Sequence, residues 1–213
     1  MAFDFKKAEK AFFRPKASPG IVTVPGMRFL AVRGKGNPNE EGGAYQTSVG
    51  LLYGIAYTLK MSKKSDRKID GYFDFVVPPL EGFWWQKGMS GYDPTRKDLL
   101  QWISAICLPD FVGRDDFAWA VRTAEEKKKQ DYSAVEYFTH DEGLTVQILH
   151  TGSFDAEPAS VALMDAFIAE QGYENDFSPG RYHHEIYLSD PRNVPQDKWR
   201  TVIRHPIRKK ILA

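Results

Sequence analysis

The chain has 213 residues, and its 29 Lys and Arg nearly balance 28 Asp and Glu, for a net charge of +1. That balance argues against a general nucleic-acid binder, which carries a basic surplus or stripe. The single cysteine, Cys107, excludes an intramolecular disulfide framework and a cysteine-based zinc site. The length allows one large domain or two small ones, with a core that needs no covalent staple.

Met1-Ala-Phe-Asp-Phe-Lys-Lys lacks the apolar core and cleavage site of a signal peptide. Pro15, Pro19 and Pro25 among lysines and aromatics make residues 1–26 an arm, expected to pack on a single domain spanning 27–213. Residues 27–33 alternate as a strand, and Gly34-Lys-Gly-Asn-Pro-Asn breaks it. Residues 44–61 are helical, with Val49, Leu52, Ile55, Ala56 and Leu59 at helical spacing. Residues 69–77 read as a strand stopped by Pro78-Pro79, and an aromatic, glycine-rich segment follows over 80–94. Residues 99–108 read as a strand that buries Cys107 as a packed thiol. Residues 114–130 form a charged helix with Phe117, Val121 and Ala124 on its inner face. Residues 144–151 are a strand, and 157–171 a helix with Val161, Met164, Phe167 and Ile168 inward. Strands over 181–188 and 199–205 complete the order. No apolar run approaches the ~20 residues of a membrane helix. A cytoplasmic protein with neither a membrane nor a nucleic-acid partner is expected.

Two stretches, about 27–109 and 144–206, share the order strand, helix, strand, strand, and the 114–130 helix links them. Ser48-Val49 aligns with Ser160-Val161, Pro78 with Pro191, and Trp102 to Pro109 with Trp199 to Pro206. The third elements then set Tyr72 opposite Glu185. The predicted fold is α+β: a duplicated strand-helix-strand-strand module forming one antiparallel sheet, with helices on one side. A groove is expected where the halves meet. The first half is longer there, by a segment that includes Glu81 to Tyr92 and is placed to line that groove.

Glu185 is the leading candidate for chemistry. Strand alternation sets Arg181, His183, Glu185 and Tyr187 on one face, and Tyr182, His184, Ile186 and Leu188 on the other. A carboxylate on a central strand is costly to bury unless a ligand, an aromatic hydroxyl or a salt bridge compensates it. Tyr72 is the candidate hydroxyl; Arg181, Arg204 or plain exposure would instead give Glu185 a structural role. The aromatics Tyr53, Tyr57, Trp84, Trp85, Tyr92, Trp102 and Trp199 are candidate groove residues or core. Aromatic faces beside one carboxylate suit flat, hydrophobic or cationic ligands, at about 0.5–2 kcal/mol per contact. His183 and His184 point to opposite faces and do not readily share a metal, and no His-Glu-x-x-His occurs. Gly34-x-Gly36 lacks the rest of a dinucleotide fingerprint, and no Gly-x-Ser-x-Gly is present. No metal and no cofactor are expected.

Together, Leu52-Tyr-Gly-Ile-Ala-Tyr-Thr-Leu-Lys60, Pro79-Leu-Glu-Gly-Phe-Trp-Trp85, Pro109-Asp-Phe-Val112, His184-Glu-Ile-Tyr-Leu-Ser-Asp-Pro191 and Val202-Ile-Arg-His-Pro206 resemble the stand-alone branch of the gyrase-inhibitor-like (GyrI-like) small-molecule-binding family. No helix-turn-helix segment precedes the domain, unlike the multidrug-sensing activators that share the fold. The resemblance implies a duplicated fold with a central aromatic groove and an essential glutamate on the penultimate strand, which falls on Glu185. Trp85 and Tyr57 match motif positions; Tyr72 and Trp199 are added from the repeat. Some stand-alone members hydrolyse cyclopropane-bearing, DNA-alkylating natural products with that glutamate and groove aromatics. Two functions follow as expectations. One is a hydrolase of such electrophiles, with Glu185 as general base and a tyrosine hydroxyl on the developing negative charge. The other is a module that binds or sequesters a small molecule, or regulates a partner such as gyrase.

Overall fold

A computed structural model describes residues 2–86, 88 and 96–211. The arm forms two single-turn helices, α1 (Phe5–Ala8) and α2 (Lys10–Phe13), and then strand β1 (Gly20–Val24). The first half is β2 (Met27–Lys35), α3 (Ala44–Lys60), β3 (Leu80–Gln86) and β4 (Leu100–Cys107). Helix α4 (Arg114–Lys128) and β5 (Glu136–His140) follow. The second half is β6 (Gly143–Thr151), α5 (Glu157–Glu170), β7 (Tyr173–Asn175), β8 (His183–Tyr187) and β9 (Arg200–Lys209). The strands make one antiparallel sheet in the order β5-β2-β4-β3-β8-β9-β6-β1, with β7 on one end of β9. Its halves, β2-β4-β3 and β6-β9-β8, run in opposite sense from a shared centre, where Gly82 of β3 lies across from Glu185 of β8.

One strand expectation is overturned. Residues 69–77 form no strand; they turn at Gly71 and make one bridge, between Phe75 and Phe3 of the arm. The central strand is Leu80–Gln86, inside the aromatic, glycine-rich segment expected to line the groove. Proline offers no N–H to a sheet ladder, so Pro78-Pro79 precede the strand rather than end it. The rings of Tyr72, Phe73 and Phe75 pack on Phe111 instead of a neighbouring strand. The repeat therefore pairs Glu185 with Gly82, not with Tyr72.

Alternation gives the sheet two dry faces. On one, Leu30, Val32, Trp102 and Ile106 meet Leu52, Ile55 and Leu59 of α3, while Val146, Ile148, Ile203 and Ile207 meet Met164 and Ile168 of α5. Each fully buried Leu or Ile there stabilises the fold by about 1.5–3 kcal/mol. Trp102 lies flat over Gly34, where any Cβ would fall 2.2 Å from its ring, so only glycine fits beneath it. On the other face, Phe29, Ala31, Phe83, Ile103, Ala105 and Cys107 form one cluster, and Phe13 of the arm covers Ile186 and Val202.

That second face also buries a charge network. His184 offers Nδ1 to Glu142 Oε2 at 3.0 Å and Nε2 to Glu81 Oε2 at 2.9 Å. Arg204 donates to Glu142 Oε1 at 2.6 Å, to Gln147 Oε1 and to the carbonyl of Phe12. Burial works against the His184 cation, but Glu142 and Glu81 override it and raise its pKa. Burial likewise opposes the Glu142 anion, and Arg204 and His184 outweigh it, holding that carboxyl well below the usual range. Arg204 and His184 thus meet Glu142 and Glu81 inside the sheet. Arm carbonyls complete the network, since Gln147 donates to Ala11 as well.

Candidate functional site

Helix α3 packs on β2 and β4, and α5 on β6 and β7, so the helix side of the central strands β3 and β8 lies between them. A cleft of about 1970 Å³ opens there. Tyr45 and Tyr53 line it from α3, Trp84 from β3, Glu157 from α5, and His183, Glu185 and Tyr187 from β8.

Glu185 sits at the floor with its side chain 14% exposed. Its Oε1 meets Nε2 of His183 at 2.9 Å, and Nδ1 of His183 meets Nε2 of His205 at 2.7 Å. Burial, and then the neighbouring His183, hold His205 well below the ordinary histidine pKa, so it is neutral. An ionised Glu185 needs a proton on His183 Nε2, which leaves one proton between the two rings at Nδ1. Neither arginine considered as a bridge to Glu185 serves as one. Arg181 pairs with Asp176 and caps carbonyls of Glu142 and Leu144, and Arg204 belongs to the opposite face.

The aromatic wall is built in ranks. Trp84 Nε1 donates to the Tyr187 hydroxyl at 3.1 Å, and a Cβ on Gly82 would come within 2.4 Å of that nitrogen. Glycine is therefore needed opposite Glu185. The ring of Tyr45 lies 5.2 Å from that of Trp84, and its buried hydroxyl meets the hydroxyl of Tyr187. Burial first raises the pKa of both Tyr45 and Tyr187; for Tyr45 it outweighs the opposing hydrogen bond with Tyr187, and for Tyr187 the charge of Glu185 and a hydrogen bond to it add to the rise, so both remain protonated.

Glu157 opens α5 beside the floor, and one donor atom from each of Glu157, His183 and Glu185 lies within 4.8 Å of the others. Its carboxyl is pushed up to about 10, first by burial, then by Glu185 and Asp155. The α5 N-terminus favours the anion by at most ~2 kcal/mol, which burial outweighs. The three groups are close enough for a divalent cation, but His183 Nε2 and Glu185 Oε1 already bond each other. A cation would have to break that contact.

Of the residues expected at the site, Glu185, His183, Tyr187, Tyr53, Trp84 and Trp85 border the cleft. Trp84 and Trp85 diverge as an extended strand requires: Trp85 stacks on Tyr182 at 4.6 Å. Four do not line it. Tyr72 donates its hydroxyl to the carbonyl of Lys60, because its segment lies outside the sheet. Tyr57 is 53% exposed, one helical turn beyond Tyr53. Trp102 stands behind Tyr45 at 5.1 Å, and Trp199 behind Phe154 at 5.0 Å. Tyr92 lies outside the described residues. The sequence reading missed Tyr45, Phe154, Glu157 and His205. Alternation along β9 would have put His205 beside His183 had the β8–β9 pairing been known; Glu157 reads as an ordinary acidic helix start.

A profile of the GyrI-like small-molecule-binding domain matches residues 108–208. A solved structure of a hydrolase from Listeria innocua is 44% identical, covers 97% of this chain and all of its own, and superposes with a TM-score of 0.87. The chain belongs to the GyrI-like small-molecule-binding family. A second Listeria innocua structure, of an uncharacterised conserved protein, is 46% identical over 97% of this chain and 100% of its own, with a TM-score of 0.91. The C-terminal domain of EcmrR shares the fold at 12% identity, with a TM-score of 0.55 over 91% of this chain and 98% of its own. A comparison with curated proteins finds no match. No helix among the described residues is long and apolar enough to cross a membrane.

Proposed function

We propose that this GyrI-like protein hydrolyses a planar electrophile, of the kind in which a strained cyclopropane is conjugated to a carbonyl, with Glu185 as general base. The observation that carries the reading is the held carboxylate. His183 fixes Oε1, itself steadied by His205, the Tyr187 hydroxyl bonds the same carboxylate, and the group so held is placed to take a proton from water. Tyr45, Tyr53 and Trp84 offer faces on which a flat ligand can stack. The buried Tyr45 hydroxyl, beside that of Tyr187, is the donor for the oxygen that gains charge as the ring opens. The hydrolase from Listeria innocua supports a hydrolytic role.

The test is turnover of a cyclopropane-bearing compound in isotopically labelled water, followed by mass spectrometry. The expected product carries one labelled oxygen on the former ring carbon. Glu185→Gln should lower the rate ~10²–10⁴-fold. Saturable quenching of tryptophan fluorescence with no product from the wild type would instead establish a binding module.

A further inference from the structure

Glu157 has no part in the reading above, yet it faces the same floor. It is 8% exposed, and its Oε1 has no hydrogen-bond partner among the described residues. Glu185 and His183 approach it from β8 and Asp155 from the preceding turn, with His205 of β9 behind His183. Lys97 is engaged by Asp155 at 3.6 Å. Two largely buried carboxylates this close hold a proton or a cation between them. The hydrogen bond from His183 already occupies Glu185 Oε1, and burial beside Glu185 keeps Glu157 protonated at neutral pH.

We propose that Glu157 is the proton donor of the cleft, the acid partner of Glu185. The assignment rests on the hydrolytic reading. As Glu185 takes a proton from water, the water oxygen bonds to the strained carbon and the ring C–C bond breaks. The released electron pair moves through the conjugated system to the carbonyl oxygen, and Glu157 delivers its proton there. One water is consumed and a neutral alcohol is released. The proton on Glu185 then returns to Glu157, whose nearest donor atom lies within 4.8 Å, and no other reactant is needed.

Infrared difference spectroscopy on the full chain at neutral pH should show a protonated carboxyl band that disappears in Glu157→Gln. In turnover, Glu157→Gln should lower kcat ~10²–10³-fold with KM little changed. A substrate with electron-withdrawing groups on its conjugated ring system, which leave the released oxygen less basic, should recover most of that loss, and Glu157→Asp should fall between. Wild-type turnover in Glu157→Gln while Glu185→Gln is inactive would overturn the donor role and leave the Glu185 reading standing. So would an infrared band that survives Glu157→Gln, or stoichiometric zinc binding that Glu157→Gln removes. No turnover by the wild type would overturn both.

Discussion

Glu157 and Glu185 approach one point from different elements, and their proximity has a thermodynamic signature. Unfolded, Glu157 releases its proton near the ordinary glutamate pKa of about 4.3; folded, it keeps the proton up to about 10. Between those values the folded state binds one more proton than the unfolded state. Stability contributed by this group is therefore complete below the lower value and falls as pH rises, by at most ~1.4 kcal/mol per pH unit. Thermal melts across this range should show that decline in the wild type and a shallower one in Glu157→Gln, with the variant the more stable of the two at alkaline pH. Parallel curves would mean that Glu157 is ionised in the folded protein. Gly82 makes a second residue-scale case. Gly82→Ala drives a Cβ to 2.4 Å from Trp84 Nε1 and 2.9 Å from the Tyr187 hydroxyl. Overpacking of this kind costs about 1–3 kcal/mol, so urea unfolding should shift to a lower midpoint while tryptophan emission reports a disturbed cleft.

At the scale of elements, the sheet keeps its chemistry and its stabilising charges on opposite faces of one strand. On β8, His183, Glu185 and Tyr187 face the cleft, while His184 and Ile186 face the arm. The same alternation made this strand legible in the sequence: period two separates the two histidines before any coordinate is known. Helices α3 and α5 were legible for the same reason, since their apolar residues repeat at helical spacing. The first-half partner of β8 was not. Residues 69–77 are as apolar and aromatic as β3, and nothing local says that arm residue Phe3 pairs with Phe75 or that the sheet begins after Pro79. Glu142 was hidden too. It lies in the short connection between β5 and β6, yet it holds both Arg204 and His184 inside the sheet. Glu142→Gln leaves those cations short of a charge and should cost about 3–5 kcal/mol, measured as loss of unfolding free energy in urea. An unchanged midpoint would show that water reaches the network.

Over the whole molecule, two similar halves meet at β3 and β8, and the site lies at their junction because neither helix covers those strands. Each half alone would expose one wall of the cleft. The arm closes the other face: Phe13 is 2% exposed over Ile186 and Val202, and the carbonyls of Ala11 and Phe12 complete the buried network. Phe13→Ala should cost about 3–5 kcal/mol, seen in the denaturation midpoint, and should reach the cleft only through β8. The measurement that tests the central claim most directly separates binding from chemistry at Glu185. A cyclopropane-bearing planar compound would be titrated against tryptophan fluorescence and, in the same samples, followed to ring-opened product in a single turnover. We predict that Glu185→Gln binds within a few-fold of the wild type and loses ~10²–10⁴-fold in rate. Product formed by Glu185→Gln at the wild-type rate would contradict the account.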